Sequence, residues 1–299
     1  STINIAESAD FKGNGTGETH YAFNRNGAMT QDLNKGITEI QYNSLNLPQR
    51  MDILSPLAEA RNEYLYSASG VKLQVTQRWN PNYSTDPVIG TDVNESALDS
   101  VKVTDYIGNK IYENGELKKI LVDGGYYDYE KQEYFFYIQD HLGNNRVVVN
   151  HNDSVVQRSD YYPFGMEFAD NSGNDQPYKY NGKELDKMHG LNMYDYSARY
   201  MDPAYGRFTS VDPLAEKYYS ISPYVYVGNN PINAVDLRGD TITTMIDGNK
   251  YTWGSVDGKN GFVGSDGALY AGDNIFANRL TSALLALSGT KEGLSIINE

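Results

Sequence analysis

Between residues 178 and 240 the chain reads YKYNGKELDKMHGLNMYDYSARYMDPAYGRFTSVDPLAEKYYSISPYVYVGNNPINAVDLRGD, and this stretch constrains the fold more than any other. It packs ten tyrosines, four prolines and three Asp-Pro or Asn-Pro pairs into one short segment. Such pairs start turns, so the segment reads as a compact plug of hairpins and tight turns that sets several aspartates at fixed places. Tyrosine is in excess along the whole chain, 26 against 9 Phe and 2 Trp. Its ring packs while its hydroxyl reaches water or a backbone partner, which suits strands with one dry and one wet face.

Upstream of the plug a short unit recurs. Tyr21-Ala-Phe-Asn-Arg-Asn-Gly27 is echoed by Tyr64-Leu-Tyr-Ser-Ala-Ser-Gly70 and by Tyr137-Ile-Gln-Asp-His-Leu-Gly143. Ile40-Gln-Tyr42-Asn-Ser-Leu-Asn46 is a weaker copy, and Asp105-Tyr106-Ile-Gly108-Asn109 a degenerate fifth. Each is an alternating run, then a polar turn with Gly or Asn where positive φ is needed, then a second alternating run. Each unit is therefore expected to be a β-hairpin, and stacked hairpins make one continuous sheet because none buries its apolar face alone. The same spacing is also compatible with an ordinary antiparallel sheet. The segment 80–100, rich in Pro, Asn, Asp and Ser, is expected as a surface excursion. Downstream of residue 240, three Asp-Gly pairs at 247, 257 and 266 signal a β-meander, and Ile275, Phe276, Leu280, Leu284 and Leu287 fall at helical spacing.

The net charge is −14. With no basic run longer than Lys118-Lys119, nothing marks a nucleic-acid interface, and an acidic, solvated exterior is the plain reading. There is no cysteine, hence no disulfide or thiolate-metal site. The four histidines show no metal-ligand spacing, and no cofactor motif occurs; Gly13-Asn-Gly-Thr-Gly17 lacks the lysine of a phosphate loop. No apolar window is long enough to span a membrane. The start, Ser-Thr-Ile-Asn, is that expected of a piece excised from a longer polypeptide.

The segment 161–240 resembles the Rhs repeat-associated core. The residues that carry the resemblance are Asp202-Pro203-Ala204-Tyr205-Gly206-Arg207, then Asp212-Pro213, then Asn230-Pro231 followed by Asp236-Leu237-Arg238-Gly239-Asp240. The hairpin array resembles YD repeats, with Tyr42-Asn43 and Tyr66-Ser67 standing where that family has Tyr-Asp. The resemblance implies a mainly β fold in three parts: a hairpin array over 1–160 forming a partial Rhs shell, a core plug over 161–240 that curls inward, and a meander plus helix over 241–299 at the head of a variable effector region. It implies a secreted or cell-surface bacterial polymorphic toxin whose shell encloses a C-terminal effector. Its partners would be the remaining shell repeats and the toxin of the same polypeptide, with any toxin activity beyond Glu299, together with an immunity protein and a secretion-system or chaperone partner.

In that family two aspartates cut the chain behind the core. Carried over, the pair is Asp212 and Asp236, with Arg207 orienting or charge-balancing them and the cut between Asp240 and Thr241. The chemistry is that of two close carboxylates sharing a proton. The sequence departs from the family at the cut, where Leu237 replaces Pro and Asp240 replaces the terminal Leu. That departure keeps a second reading open, a non-cleaving structural or adhesive surface protein. A third, an independent enzyme, has no external-substrate site to support it.

Overall fold

The computed structural model describes residues 20–84, 91–168, 176–218, 221–246 and 248–288. The glycine-rich segment 13–17, the middle of the 80–100 excursion and Asp247 lie outside these residues. Thirteen strands run in sequence order as one antiparallel meander. They are β1 (Tyr21–Phe23), β2 (Met29–Asp32), β3 (Ile37–Tyr42), β4 (Pro48–Ser55), β5 (Ala58–Tyr66), β6 (Lys72–Trp79) and β7 (Ser100–Ile107). The series continues through β8 (Lys110–Glu113), β9 (Glu116–Val122), β10 (Gly125–Asp128), β11 (Glu133–Gln139), β12 (Asn145–Asn150) and β13 (Val155–Arg158).

All five turns read from the repeats are hairpin turns of this wall, with positive φ at Gly27, Asn46, Gly70, Gly108 and Gly143. The side chain that opens most of them does the work expected of an Asx turn. Asn24 Oδ1 accepts the amides of Asn26 and Ala28, each at 2.9 Å. Asn43 Oδ1 accepts those of Leu45 at 2.9 Å and Leu47 at 3.1 Å. Asp140 Oδ1 accepts those of Leu142 and Asn144, and Ser67 Oγ that of Val71 at 3.1 Å. Asn and Ser therefore replace the Asp of a Tyr-Asp pair without loss of the turn, because what the turn needs is a side-chain oxygen close enough to accept amides two and four residues on.

The plug carries a four-stranded sheet of β14 (Glu184–Asp186), β15 (Met193–Asp195), β16 (Tyr200–Asp202) and β17 (Arg207–Phe208). It lies against the wall. Leu191, Met193 and Tyr200 share one buried apolar cluster with Ile40, Ile53 and Tyr64 of the wall. Polar ties cross the same boundary. Lys72 Nζ reaches Glu184 at 2.8 Å and Asp195 at 2.6 Å, the Tyr106 hydroxyl donates to Glu184 at 2.6 Å, and Lys35 Nζ lies 3.2 Å from Asp202. The tyrosine excess is explained here. Tyr180, Tyr194, Tyr196 and Tyr226 are buried together in the plug core, and their hydroxyls find internal acceptors, such as Pro163 O for Tyr180 and Gly165 O for Tyr194.

A third antiparallel sheet joins β18 (Ala234–Val235), β19 (Thr243–Ile246), β20 (Asn249–Val256) and β21 (Lys259–Val263), followed by the helix α1 (Ile275–Ser288). The meander and helix expected from the Asp-Gly pairs and the apolar spacing are thus both present. The first strand of this sheet is drawn from upstream of residue 240 and pairs with β19 through Ala234–Thr244 and Val235–Thr243.

Candidate aspartate site

Asp212 and Asp236 come from different parts of the plug, and one guanidinium brings them together. Arg199 leads into β16 and is 2% exposed. A buried cation in an apolar setting needs anions and carbonyls around it, and Arg199 has both. Its Nη2 lies 2.7 Å from Asp212 Oδ2 and 3.7 Å from Asp236 Oδ2. Its Nη1 donates to Pro223 O at 2.9 Å, its Nε to Gly239 O, and its guanidinium carbon sits 3.7 Å from the centre of the Phe208 ring.

Each carboxylate is locked on its other oxygen. Asp212 Oδ1 accepts the Leu214 amide at 2.7 Å, the turn that an Asp before Pro favours. Asp236 Oδ1 accepts four successive amides, those of Arg238, Gly239, Asp240 and Thr241, at 3.1, 2.7, 3.1 and 3.3 Å. The backbone from 238 to 241 is wound round this one oxygen. Gly239 permits it with φ of 81°; a Cβ there would stand 3.1 Å from the Arg199 amide nitrogen and 3.2 Å from Tyr196 Cβ.

Burial pushes the Asp236 carboxyl up to about 6, against the pull of Arg199 and of the amides. Burial raises Asp212 as well, again opposed by Arg199. The same burial lowers the Arg199 guanidinium, and Asp212 and Asp236 counter it. A small cavity of about 10 Å³, the size of one water, is lined by Arg199, Asp212, Tyr218 and Asp236. The Tyr218 hydroxyl, at its edge, accepts the Ile242 amide at 3.0 Å. Two carboxyls of raised affinity for protons, a fixed cation and a peptide segment held against one of them form an arrangement able to do acid–base chemistry on that peptide.

Of the residues singled out in the sequence, Asp212, Asp236, Asp240 and Thr241 converge here. Asp240 Oδ2 pairs with Arg238 at 3.1 Å, and its Oδ1 is buried without a hydrogen-bond donor. Arg207 does not join them. Its Nη1 donates to Gly206 O at 2.9 Å and to Asn229 Oδ1 at 2.8 Å. Neighbouring strand residues point to opposite faces, and Phe208, next along β17, is the one that turns inward, under Arg199. The charge-balancing arginine is therefore Arg199, not Arg207. Its signal in the sequence was a lone cation between Tyr196 and Tyr200, in a bend between two strands too aromatic to be exposed.

A hairpin-built antiparallel wall, stoppered by a tyrosine-rich plug that buries an Arg-Asp-Asp cluster, is the class of molecule this fold and site define. No family model matches the chain. It is 36% identical over 121 residues to salivary gland surface protein 1 of Aedes aegypti, covering 40% of this chain and 3% of that protein. It is 32% identical over 103 residues to toxin subunit YenC1 of Yersinia entomophaga, covering 33% of this chain and 10% of that one. A crystal structure of TcdB2–TccC3–Cdc42 matches 73% of this chain and 11% of its own with a TM-score of 0.55 at 18% identity. A Photorhabdus luminescens Tc holotoxin pore matches 67% and 10% with a TM-score of 0.51 at 18% identity. The chain thus shares a fold with parts of these structures and resembles toxin subunit YenC1 in sequence, while spanning a small part of the length of the relatives it matches. Among the described residues no helix is long and apolar enough to cross a membrane.

Proposed function

We propose that this chain is the end of a secreted or surface-displayed bacterial shell of the Rhs type, in which the hairpin array is wall, the Tyr-rich segment is stopper, and the Arg199–Asp212–Asp236 cluster cuts the chain once between Asp240 and Thr241. The observation that carries the reading is the cradle at Asp236, which holds the amide of Thr241 at 3.3 Å while its other oxygen faces Arg199. In the reaction, an ionised carboxylate of the pair takes a proton from a water whose oxygen attacks the Asp240 carbonyl carbon. The protonated partner donates to the Thr241 nitrogen as the C–N bond breaks, leaving a carboxylate at 240 and an amine at 241. Arg199 holds both acids in place and keeps one of them ionised.

The test is the purified chain on a denaturing gel. Wild type is expected to resolve into fragments ending at 240 and beginning at 241, with a free Thr241 amine found by N-terminal sequencing. Asp212→Asn and Asp236→Asn are each expected to leave one intact band. An intact wild-type band after days at pH 5 to 7 sinks the cut and leaves the wall and stopper standing.

A specific observation favours the second reading, a non-cleaving surface protein. Asp240 stands where an apolar side chain would seat the cut, and its buried Oδ1 has no donor. One of the relatives is itself named a surface protein. The same gel separates the two.

A further inference from the structure

A second cluster of charged side chains is buried where the wall meets the plug. Asp32 ends β2, Lys35 lies in the turn between β2 and β3, and Asp202 ends β16 on the plug. Asp32 is 0% exposed, Asp202 2%, and the Lys35 side chain 9%. Lys35 Nζ stands 3.2 Å from Asp202 Oδ2. That approach is not a well-formed hydrogen bond. Nζ donates to Leu191 O at 2.9 Å, and Asp202 Oδ2 is buried without a donor. The other Asp202 oxygen accepts the Ala204 amide at 2.9 Å, which holds the carboxyl in place. Asp32 completes the group from the wall side. Its Oδ1 accepts the amides of Asn34 and Lys35 at 3.0 and 3.4 Å, and the Tyr205 hydroxyl donates to its Oδ2 at 3.4 Å. Burial pushes the Asp32 carboxyl up to about 6, with Lys35 and the Asp202 charge pulling in opposite directions. Lys72 at the same seam differs, because it hydrogen-bonds both of its acids as an ordinary ion pair.

We propose that Lys35 and Asp202 join as an isopeptide, an amide between the lysine Nζ and the aspartate Cγ, with Asp32 passing the protons, so that the plug is bonded covalently to the wall. Two anions and one cation are costly to keep charged in an apolar seam. Moving one proton from the ammonium to the Asp202 carboxylate leaves a neutral amine facing a neutral acid. The amine lone pair then attacks Asp202 Cγ, and groups held about 3–3.5 Å apart need no search to react. Asp32 takes a proton from the attacking nitrogen and returns one to Oδ2. The Cγ–Oδ2 bond breaks, water leaves, and one N–H remains on the new amide. The ammonium and the carboxylate together lose two hydrogens and one oxygen, charge is conserved, and Asp32 ends as it began. The product replaces a buried ion pair by a neutral amide that keeps one donor and one acceptor.

The test is mass spectrometry of the purified full chain. The denatured wild type is expected to be lighter than its sequence by one water. Trypsin should fail to cut after Lys35 and should yield a branched species joining residues 26–50 to residues 200–207. Lys35→Arg is expected to restore the full mass. Asp32→Asn keeps an Oδ1 for the turn amides but cannot pass a proton. It is expected to slow joining by about a hundredfold or more, followed as the joined fraction against time after synthesis, with tryptophan emission checking that the variant is folded. A wild type of full mass, cut normally after Lys35 following several days at neutral and mildly acidic pH, overturns the bond. So does a branch found at any other pair of residues. Joining of Asp32→Asn at the wild-type rate overturns the part given to Asp32. Lys35 and Asp202 both lie upstream of the bond between 240 and 241, so the mass reports on their joining whether or not the chain cuts itself.

Discussion

Replacing Arg199 by Met tests whether one cation organises the aspartate site. Met fills much of the volume and keeps an apolar contact with Phe208, so the main loss is charge and hydrogen bonding. Two carboxylates would be left buried, Asp236 at 3% exposure, and the Gly239 and Pro223 carbonyls would lose their donors. Breaking a buried ion pair from one side costs about 3–5 kcal/mol. With a urea dependence of about 2–3 kcal/mol per M, the unfolding midpoint should fall by about 1–2.5 M, read by circular dichroism at pH 7.5. The loss should shrink at pH 5. Without the guanidinium both acids bind protons more readily, Asp236 starting from about 6, and a neutral carboxyl needs no counter-cation. A difference of about 1–2 kcal/mol between the two pH values is the expected signature. Arg199→Lys, which keeps a charge but not the forked donors or the ring stacking, should fall between. A loss below about 1 kcal/mol, or the same loss at both pH values, would show that Arg199 does not hold the two acids.

Acid should firm the fold over part of its range. Burial raises Asp32, Asp186 and Asp236 to about 6 in the folded chain, above the unfolded value. Their contribution is therefore fully present below about pH 4 and is lost as pH rises through about 6; His189, which burial lowers to about 4, opposes them in the same window, but three carboxyls outweigh one imidazole, so the melting temperature should be higher at pH 5 than at 7.5, and a steady fall on acidification through that window refutes this. Lys72→Met strands Glu184 and Asp195 at the seam between wall and plug, and should cost about 3–5 kcal/mol by urea unfolding. Gly165→Ala should cost about 2 kcal/mol or more, because φ is 90° there and a Cβ would stand 2.6 Å from the Tyr180 ring; a neutral outcome would contradict that close approach. Asn43→Ala should cost about 1 kcal/mol through two lost amide partners, while Asn43→Asp should fold normally.

That last pair bears on how legible the molecule was. Local turn chemistry speaks directly from the sequence, because a Gly or Asn at positive φ and an acceptor at the first turn position are fixed by the residues themselves. The five repeat turns and the Asp257-Gly258 turn were legible for that reason. The hairpins at Asn114-Gly115 and Asp123-Gly124 carry equally strong signals but sit outside the tyrosine spacing, so a search for the repeat passes over them; both glycines have positive φ, 82° and 72°. Pairing over long sequence distance is a different matter. Nothing local says that Lys72 will meet Glu184 or that the meander after residue 240 will share the plug's core, since those contacts follow from which faces remain uncovered once the sheets exist.

The aspartate site shows the same division within a few residues. An Asp before Pro announces a turn, and Asp212 makes one. That Asp236 would gather four amides is implied by Gly239, the residue that lets the backbone fold over it. Which arginine would sit between the two acids depends on alternation along a strand whose inward face is decided by Phe208, and a motif read as a string assigns the wrong one because Arg207 lies nearer to the Asp-Pro pairs in sequence. Burial is the better guide. Arg199 lies among aromatic residues that must be covered, a covered cation must be paired, and the acids it can reach are Asp212 and Asp236. Read in that order, the cluster follows from the need to neutralise one buried guanidinium, and the bond between 240 and 241 is brought to it because the chain must wrap Asp236 before it can enter the next strand.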